Sequence, residues 1–266
     1  MTNTKGTAVV TGASTGIGAV YAERLATRGY DLVLVARSAD KLGQVADRIR
    51  ARTGRQVDIL PADLADTADL ANVEDFLRTT PDITLLVNNA GLGGALRLVE
   101  SDIEQMTAMI SLNVTALTRL TYAIVPEFLA RGSGTIINIA SIVAVNPELL
   151  NGVYGGTKAF VVAFSQNLRH ELQGTGVHVQ VVLPGATATD FWAIAGRPVE
   201  LLPSAIVMSG EDLVDAALVG LDRGEFATIP SLQEGELFDA YEAARQAMAG
   251  KLSTSKPAAR YRVSTP

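Results

Sequence analysis

The sequence contains no cysteine, only two histidines and one tryptophan, and just 5% aromatic residues among its 266 positions. The missing cysteine excludes disulfides, thiolate metal ligands and a cysteine nucleophile. The two histidines, His170 and His178, belong to no motif and no carboxylate cluster, so they read as surface or packing residues and no metal is expected. No uninterrupted apolar run reaches the roughly 18 residues of a membrane span. A basic leader with an apolar core is also missing ahead of the first strand-like segment. Positive charge is in deficit: 22 Lys and Arg stand against 28 Asp and Glu, a net charge of −6. That balance argues against a broad nucleic-acid surface. The expectation is a cytoplasmic protein with neither a nucleic-acid nor a membrane partner.

What is present is core material. Apolar residues make up 48% of the chain, enough for a large buried interior. Short, nearly all-apolar, β-branched runs recur at 7–12, 31–36, 56–60, 83–89, 134–141, 177–184 and 226–230. Lack of alternation is the mark of parallel strands covered on both faces. Helical patterns lie between them at 17–28, 40–53, 66–79, 102–131, 152–173 and 211–222, and the fourth is long enough for two consecutive helices. This β–α alternation predicts an α/β doubly wound parallel sheet with helices on both faces. No linker splits the chain, so residues 1–266 are expected to form a single domain. Two segments break the rhythm. Residues 186–209 have no clear period and read as a substrate-binding loop or lid. Residues 234–266 read as an acidic helix followed by a polar tail.

The first strand runs into "TGASTGIG", with Gly12, Gly16 and Gly18 around Ser14, Thr15 and Ile17. Glycine permits the tight turn and lets backbone N–H groups approach a pyrophosphate, which then faces the positive end of the following helix. The second strand ends "LVLVARSAD". An NAD site wants an acid there for the ribose 2′-hydroxyl; Ala36 stands in that place and Arg37 follows. Arginine can hold a 2′-phosphate by bidentate bonds, so NADP(H) is expected over NAD(H). A solvated arginine opening a helix is the alternative, and Thr15 stands where a basic residue would have strengthened the NADP reading. Asp63 in "PADLAD" suits an adenine amino group, with the Leu64 backbone close by, or else a helix cap. In "NNAG", Asn89 can tie off backbone, and Ala90 and Gly91 let the chain pass close to a ribose.

Tyr154 and Lys158 lie four apart at a helix start and project from one side. Ser141 ends the fifth strand, where ligands of such sheets sit. A lysine ammonium close by, together with an oxidised nicotinamide, favours the phenolate, turning a group of pKa near 10 into a usable acid or base. Ser141 would hold the substrate oxygen. Gly155 and Gly156, between the pair, would keep bulk away from cofactor and substrate.

In order, "TGASTGIG", "NNAG", Asn113 in "SLNV", Ser141, "YGGTK" and "PGATAT" resemble the short-chain dehydrogenase/reductase family in its short branch, over residues 7 to about 230. The resemblance implies a seven-stranded Rossmann-type sheet. It implies Tyr154 as acid/base, Lys158 on the nicotinamide ribose and lowering the tyrosine pKa, Ser141 positioning substrate, and Asn113 holding a relay water. Pro184 and Gly185 would back the nicotinamide, with Thr187 and Thr189 near its carboxamide or the phosphates. The implied activity is hydride transfer between NADP(H) and a carbonyl or secondary alcohol. Gly156-Thr157 departs from the family's frequent Ala-Ser but keeps a hydroxyl.

Pocket walls are expected from Leu92, Ile142, Val143, Val145, Leu149, Phe191, Trp192, Leu201 and Leu202, with Arg97 and Arg197 the only bases, so the substrate should be largely apolar. Two rivals are a non-catalytic nucleotide-sensing regulator on the same fold and an epimerase or dehydratase of the longer branch. A homo-oligomer, dimer or tetramer, is expected by resemblance through 102–131 and 152–173.

Overall fold

The computed structural model describes residues 4–196 and 198–261. The strands are β1 (Thr7–Thr11), β2 (Asp31–Ala36), β3 (Val57–Pro61), β4 (Ile83–Asn88), β5 (Gly134–Ile139), β6 (Val177–Val182) and β7 (Ala227–Thr228). All pair in parallel, in the order β3-β2-β1-β4-β5-β6-β7. This is the expected seven-stranded Rossmann sheet. Strand order reverses between β1 and β4, which opens a crevice at their carboxyl ends.

The helices are α1 (Gly16–Thr27), α2 (Ala39–Thr53), α3 (Thr67–Thr79), α4 (Ile103–Ile110), α5 (Leu117–Arg131), α6 (Gly152–Glu171), the short α7 (Phe191–Ile194), α8 (Gly210–Asp222) and α9 (Glu236–Ala247). Alternate residues of β1 show why its run is apolar throughout. Ala8 and Val10 join a core with α1, α2 and α8, whereas Val9 joins the core beneath α3, α5 and α6.

The expected pair of helices at 102–131 is one continuous helix, widened into a π turn at Ser111–Ala116. π turns mark functional sites often enough to direct attention to Asn113 inside this one. By length and mean hydropathy (1.3 over its most apolar window) this helix could cross a membrane. Instead Leu117, Leu120, Ala123, Ile124 and Phe128 are buried within the sheet domain. Glu74 of α3 ties it down through an ion pair to Arg119 and is itself paired within α3 to Arg78 (2.8 Å).

Residues 186–209 leave and rejoin the domain at one point. Ala188 N donates to Met208 O (2.9 Å), Met208 N donates to Ala186 O (2.9 Å), and Thr187 bridges Met208. The chain falls into two compact units, 1–231 and 232–266. The second carries α9, with Glu236 and Asp239 in its first turn.

Candidate active site

The crevice is built from the end of β1. The Thr11 hydroxyl accepts from Asn89 N (2.9 Å) and Ala90 N (3.0 Å) and donates to Val87 O (3.1 Å). Asn89 Nδ2 donates to Thr11 O (2.9 Å) and Gly12 O (3.3 Å). These bonds stitch the two sides of the switch point together, as the tie-off reading of Asn89 expects. Gly12 and Gly16 have φ of +66° and +56°, a region side-chain-bearing residues disfavour. At Gly18 a Cβ would overlap Gly12 O and lie 2.5 Å from Asn89 Nδ2.

The first turn of α1 carries no acid, and Thr15 makes no side-chain capping bond. By contrast α2, α3, α6 and α8 are capped by Ser38, Asp66, Asn151 and Ser209. The helix thus keeps open N–H donors and a positive end toward the loop containing Ser14 and Ile17. Thr189 borders the same turn: its Cγ2 would be 3.3 Å from a Cβ at Gly16. Thr189 thus lies against the glycine turn, whereas Thr187 is buried and its hydroxyl donates to Gly185 O (3.1 Å).

Ala36 pairs with Pro61, and Ala62 N donates to Ala36 O (3.0 Å), so Arg37 and Asp63 sit at neighbouring strand ends. Arg37 is exposed and has no ion-pair partner among the described residues. Asp63 is not a helix cap, since Asp66 caps α3. Its Oδ1 accepts from Ala65 N (3.0 Å) and no bond occupies its other oxygen among the described residues. The Leu64 side chain is buried in the core, leaving only its backbone to a ligand. An open helix end, a glycine cradle and an unpaired arginine fit a dinucleotide with a 2′-phosphate.

Asn113, Ser141, Tyr154 and Lys158 are all buried and converge beside this crevice. Lys158 Nζ donates to Ile139 O (2.8 Å) and lies 5.9 Å from the Tyr154 ring centroid. A Cβ on Gly91 would be 3.1 Å from Asn113 Oδ1 and 3.6 Å from Lys158 Nζ, which explains the glycine. Asn113 Oδ1 accepts from Leu92 N (2.8 Å), and its Nδ2 donates to Leu92 O (2.8 Å) and Thr157 Oγ1 (3.0 Å). Thr157 in turn donates to Tyr154 O (2.9 Å). The Ser141 hydroxyl donates to Pro184 O (3.4 Å) and accepts from Val143 N (3.4 Å).

Burial pushes the Tyr154 hydroxyl up to about 12, opposed by its hydrogen bond with Ser141. Burial pushes Lys158 down to about 8. In the chain alone the tyrosine is therefore raised rather than depressed; the expected lowering counts on an oxidised nicotinamide as well as on Lys158. Desolvation outweighs its neighbours.

Several supports escaped the sequence reading. Asn151 caps α6, accepting from Val153 N (2.8 Å), and its Nδ2 donates to Leu96 O (2.8 Å) and Ser101 Oγ (3.0 Å), clamping the loop after β4. An asparagine just before an apolar helical run is a legible cap signal. Beneath the site Asn88 Nδ2 donates to Asn138 Oδ1 (2.9 Å) and Thr121 Oγ1 (3.2 Å), and Asn138 Nδ2 donates to Ser165 Oγ (2.9 Å). No local pattern announces this network, because its members come from four elements.

Of the expected walls, Leu92, Val143 and Phe191 do pack around Tyr154, joined by Met106, Met109, Leu150 and Val153, which were not expected. Ile142 and Val145 pack instead against the core around Val161 and Val181. Trp192 is buried, with Nε1 donating to Thr187 O (2.9 Å). Leu149, Leu201 and Arg97 are exposed, Leu202 is partly exposed, and Arg197 lies outside the described residues.

The two glycines of the pair have different surroundings. Gly155 is buried against Pro147, 3.3 Å from where its Cβ would be, and Gly156 is exposed with nothing within 4 Å of that position. Neither position borders the Gly91–Lys158 contact. Gly156→Ala is therefore expected to raise stability by about 0.5–1 kcal/mol, the helix-propensity difference. Denaturant unfolding with unchanged NADPH affinity checks this; weakened binding would restore the idea that Gly156 gives a ligand room.

The chain matches the short chain dehydrogenase family over residues 6–197. It superposes on a short-chain dehydrogenase from Sphingobium yanoikuyae in complex with NADPH, with TM-score 0.94 and 48% identity, over 97% of this chain and all of that one. A bulky-bulky ketone specific alcohol dehydrogenase from Comamonas testosteroni gives TM-score 0.90 and 42% identity, over 97% of this chain and 99% of that one. A probable NADP-dependent dehydrogenase of Haemophilus influenzae is 38% identical over 184 residues, 67% of this chain and 70% of that protein. The chain belongs to the short-chain dehydrogenase/reductase family, and with it to a class of oxidoreductases.

Proposed function

We propose that this protein is an NADP(H)-dependent reductase of ketones with largely apolar substituents, running the reverse alcohol oxidation with the same residues. The observation that carries the reading is the convergence of buried Ser141, Tyr154 and Lys158 beside the glycine cradle, walled by Leu92, Met106, Met109, Val143 and Phe191. A nicotinamide dinucleotide, when bound, supplies or accepts the hydride. Gly12, Ser14, Thr15, Gly16, Ile17 and Gly18 would hold its pyrophosphate with Thr189, and Arg37 its 2′-phosphate. Asp63 and Leu64 would meet the adenine. Asn89, Ala90, Gly91 and Lys158 would line the ribose, and Pro184, Gly185 and Thr187 the nicotinamide end.

Tyr154 gives its hydroxyl proton to the carbonyl oxygen, and Ser141 orients that oxygen by a hydrogen bond. Protonated Lys158 favours the phenolate that remains. Both ends of the Asn113 amide are occupied, so a relay water would meet its main chain. Residues 186–209 act as the lid over one Rossmann domain. A non-catalytic sensor has no use for an intact Asn–Ser–Tyr–Lys set. Exposed Ile103, Ile110, Tyr122 and Leu129 along α4 and α5 support a homo-oligomer, and the acidic balance suits a soluble cytoplasmic enzyme.

NADPH oxidation with cyclohexyl ketones tests the reading; no turnover with any of them would reject it. Arg37→Ala tests the cofactor assignment. Loss of charge-assisted hydrogen bonds, about 1.5–3 kcal/mol, should weaken NADPH by roughly 10- to 150-fold and leave NADH unchanged. An unaltered NADPH/NADH ratio would refute the role of Arg37.

A further inference from the structure

Phe191 is the part of the 186–209 segment that reaches the acid/base residue. Its ring centroid lies 5.6 Å from that of Tyr154, tilted by 47°, and 5.7 Å from that of Trp192, edge-on at 88°. Its backbone is pinned on both sides. Trp192 Nε1 is bonded to Thr187 O, Ala195 N donates to Phe191 O (2.8 Å), and Ala95 N donates to Ala195 O (3.2 Å). The tip of the ring is seated on the loop after β4 at Gly93, where a Cβ would overlap Phe191 Cζ and Cε2. Met106, Met109, Val143 and Tyr154 of the same cluster are buried, but Phe191 is only partly so. The ring thus packs on Tyr154, Trp192 and Gly93 without being fully enclosed.

We infer that Phe191, seated on Gly93, sets the size of the second substituent that a ketone can carry. The inference rests on the carbonyl-reductase reading above. A ketone whose oxygen sits at Tyr154 and Ser141 directs two substituents away from that oxygen, and the incompletely buried Phe191, packed against Tyr154, bounds one of these directions. The hollow at Gly93 keeps the ring back. A methyl group there drives the ring off its seat and into the substrate space, so the two positions act as one unit.

The test pairs cyclohexyl methyl ketone with dicyclohexyl ketone, which differ only in the second substituent and do not mask tryptophan fluorescence. Turnover is followed by NADPH oxidation. Ketone affinity is followed in the NADP⁺-saturated enzyme by quenching of Trp192, the only tryptophan in the chain. Phe191→Ala should raise the dicyclohexyl-to-methyl ratio of kcat/KM by about tenfold or more, chiefly through KM, and Phe191→Leu should fall between. NADPH affinity should stay within about twofold. Gly93→Ala should lower the ratio, and that effect should vanish in the Gly93→Ala/Phe191→Ala double variant, because no ring remains to be displaced.

A ratio unmoved by Phe191→Ala, or a Gly93→Ala effect that persists without the ring, overturns the inference. So does an equal loss with both ketones, which would mark a merely structural role. Ketone binding that shifts as expected without any turnover overturns only the reductase reading. Absence of both binding and turnover rejects the two together.

Discussion

Tyr154→Phe is expected to lower kcat for ketone reduction by about 10²–10⁴-fold, the usual contribution of a positioned general acid. NADPH affinity and the fold should survive. Phenylalanine keeps the ring that packs with Met106, Met109 and Val143 and that stands 5.6 Å from Phe191. Only the hydroxyl is lost, and Ser141 retains Pro184 O and Val143 N as partners. The pH dependence follows from the direction of the shift. With its pKa pushed up to about 12 in the chain alone, the hydroxyl is protonated throughout the neutral range, as reduction requires. Reduction should therefore be level through neutral pH and fall only in alkali, whereas oxidation should rise with pH as the phenolate becomes available. Steady-state rates in both directions, with NADPH binding by fluorescence, check this. A variant that retains its full rate removes Tyr154 from the chemistry.

Gly18→Ala should damage the cradle rather than the chemistry. The added carbon would overlap the backbone oxygen of Gly12 and press on Asn89 Nδ2, the group that stitches β1 to β4. Backbone on one side and a bonded amide on the other leave no cheap escape. Overpacking of this kind costs about 1–3 kcal/mol. For a chain of this size that is a fall in Tm of roughly 2–12 °C. The shift of the turn should also weaken NADPH by about tenfold or more, since misplaced N–H donors forfeit hydrogen bonds to a charged group. Thermal unfolding and NADPH titration measure the two effects separately. An unchanged affinity would mean that this turn does not carry the phosphates.

Much of this molecule is legible in its sequence. The doubly wound sheet could be read because Val9 and its neighbours are apolar on both faces, a pattern that only a sheet covered on both sides requires. Gly12, Gly16, Gly18, Asn89, Tyr154 and Lys158 could be read because their spacing along strand ends and one helix face is local. Gly155 and Gly156 were less legible for the opposite reason: what lies beside a glycine is set by distant neighbours, here Pro147 for the first and open space for the second. Ile142 and Val145 misled similarly, since an apolar side chain after a strand suits a pocket wall and a core equally well.

The sequence alone determined the order of strands and helices along the chain and the site of the glycine turn, because periodicity and short-range spacing encode those directly, while the resemblance of its ordered motifs to a known family pointed to Tyr154 and Lys158 as the proton-exchanging pair. Only the tertiary structure decided that Asn151 clamps a loop some fifty residues away in sequence, that Asn88, Asn138 and Ser165 form one network, and that Phe191 rests on Gly93 beside Tyr154. It also decided the direction of the Tyr154 shift. Burial depends on every element that closes around a group, and a linear pattern does not carry that information.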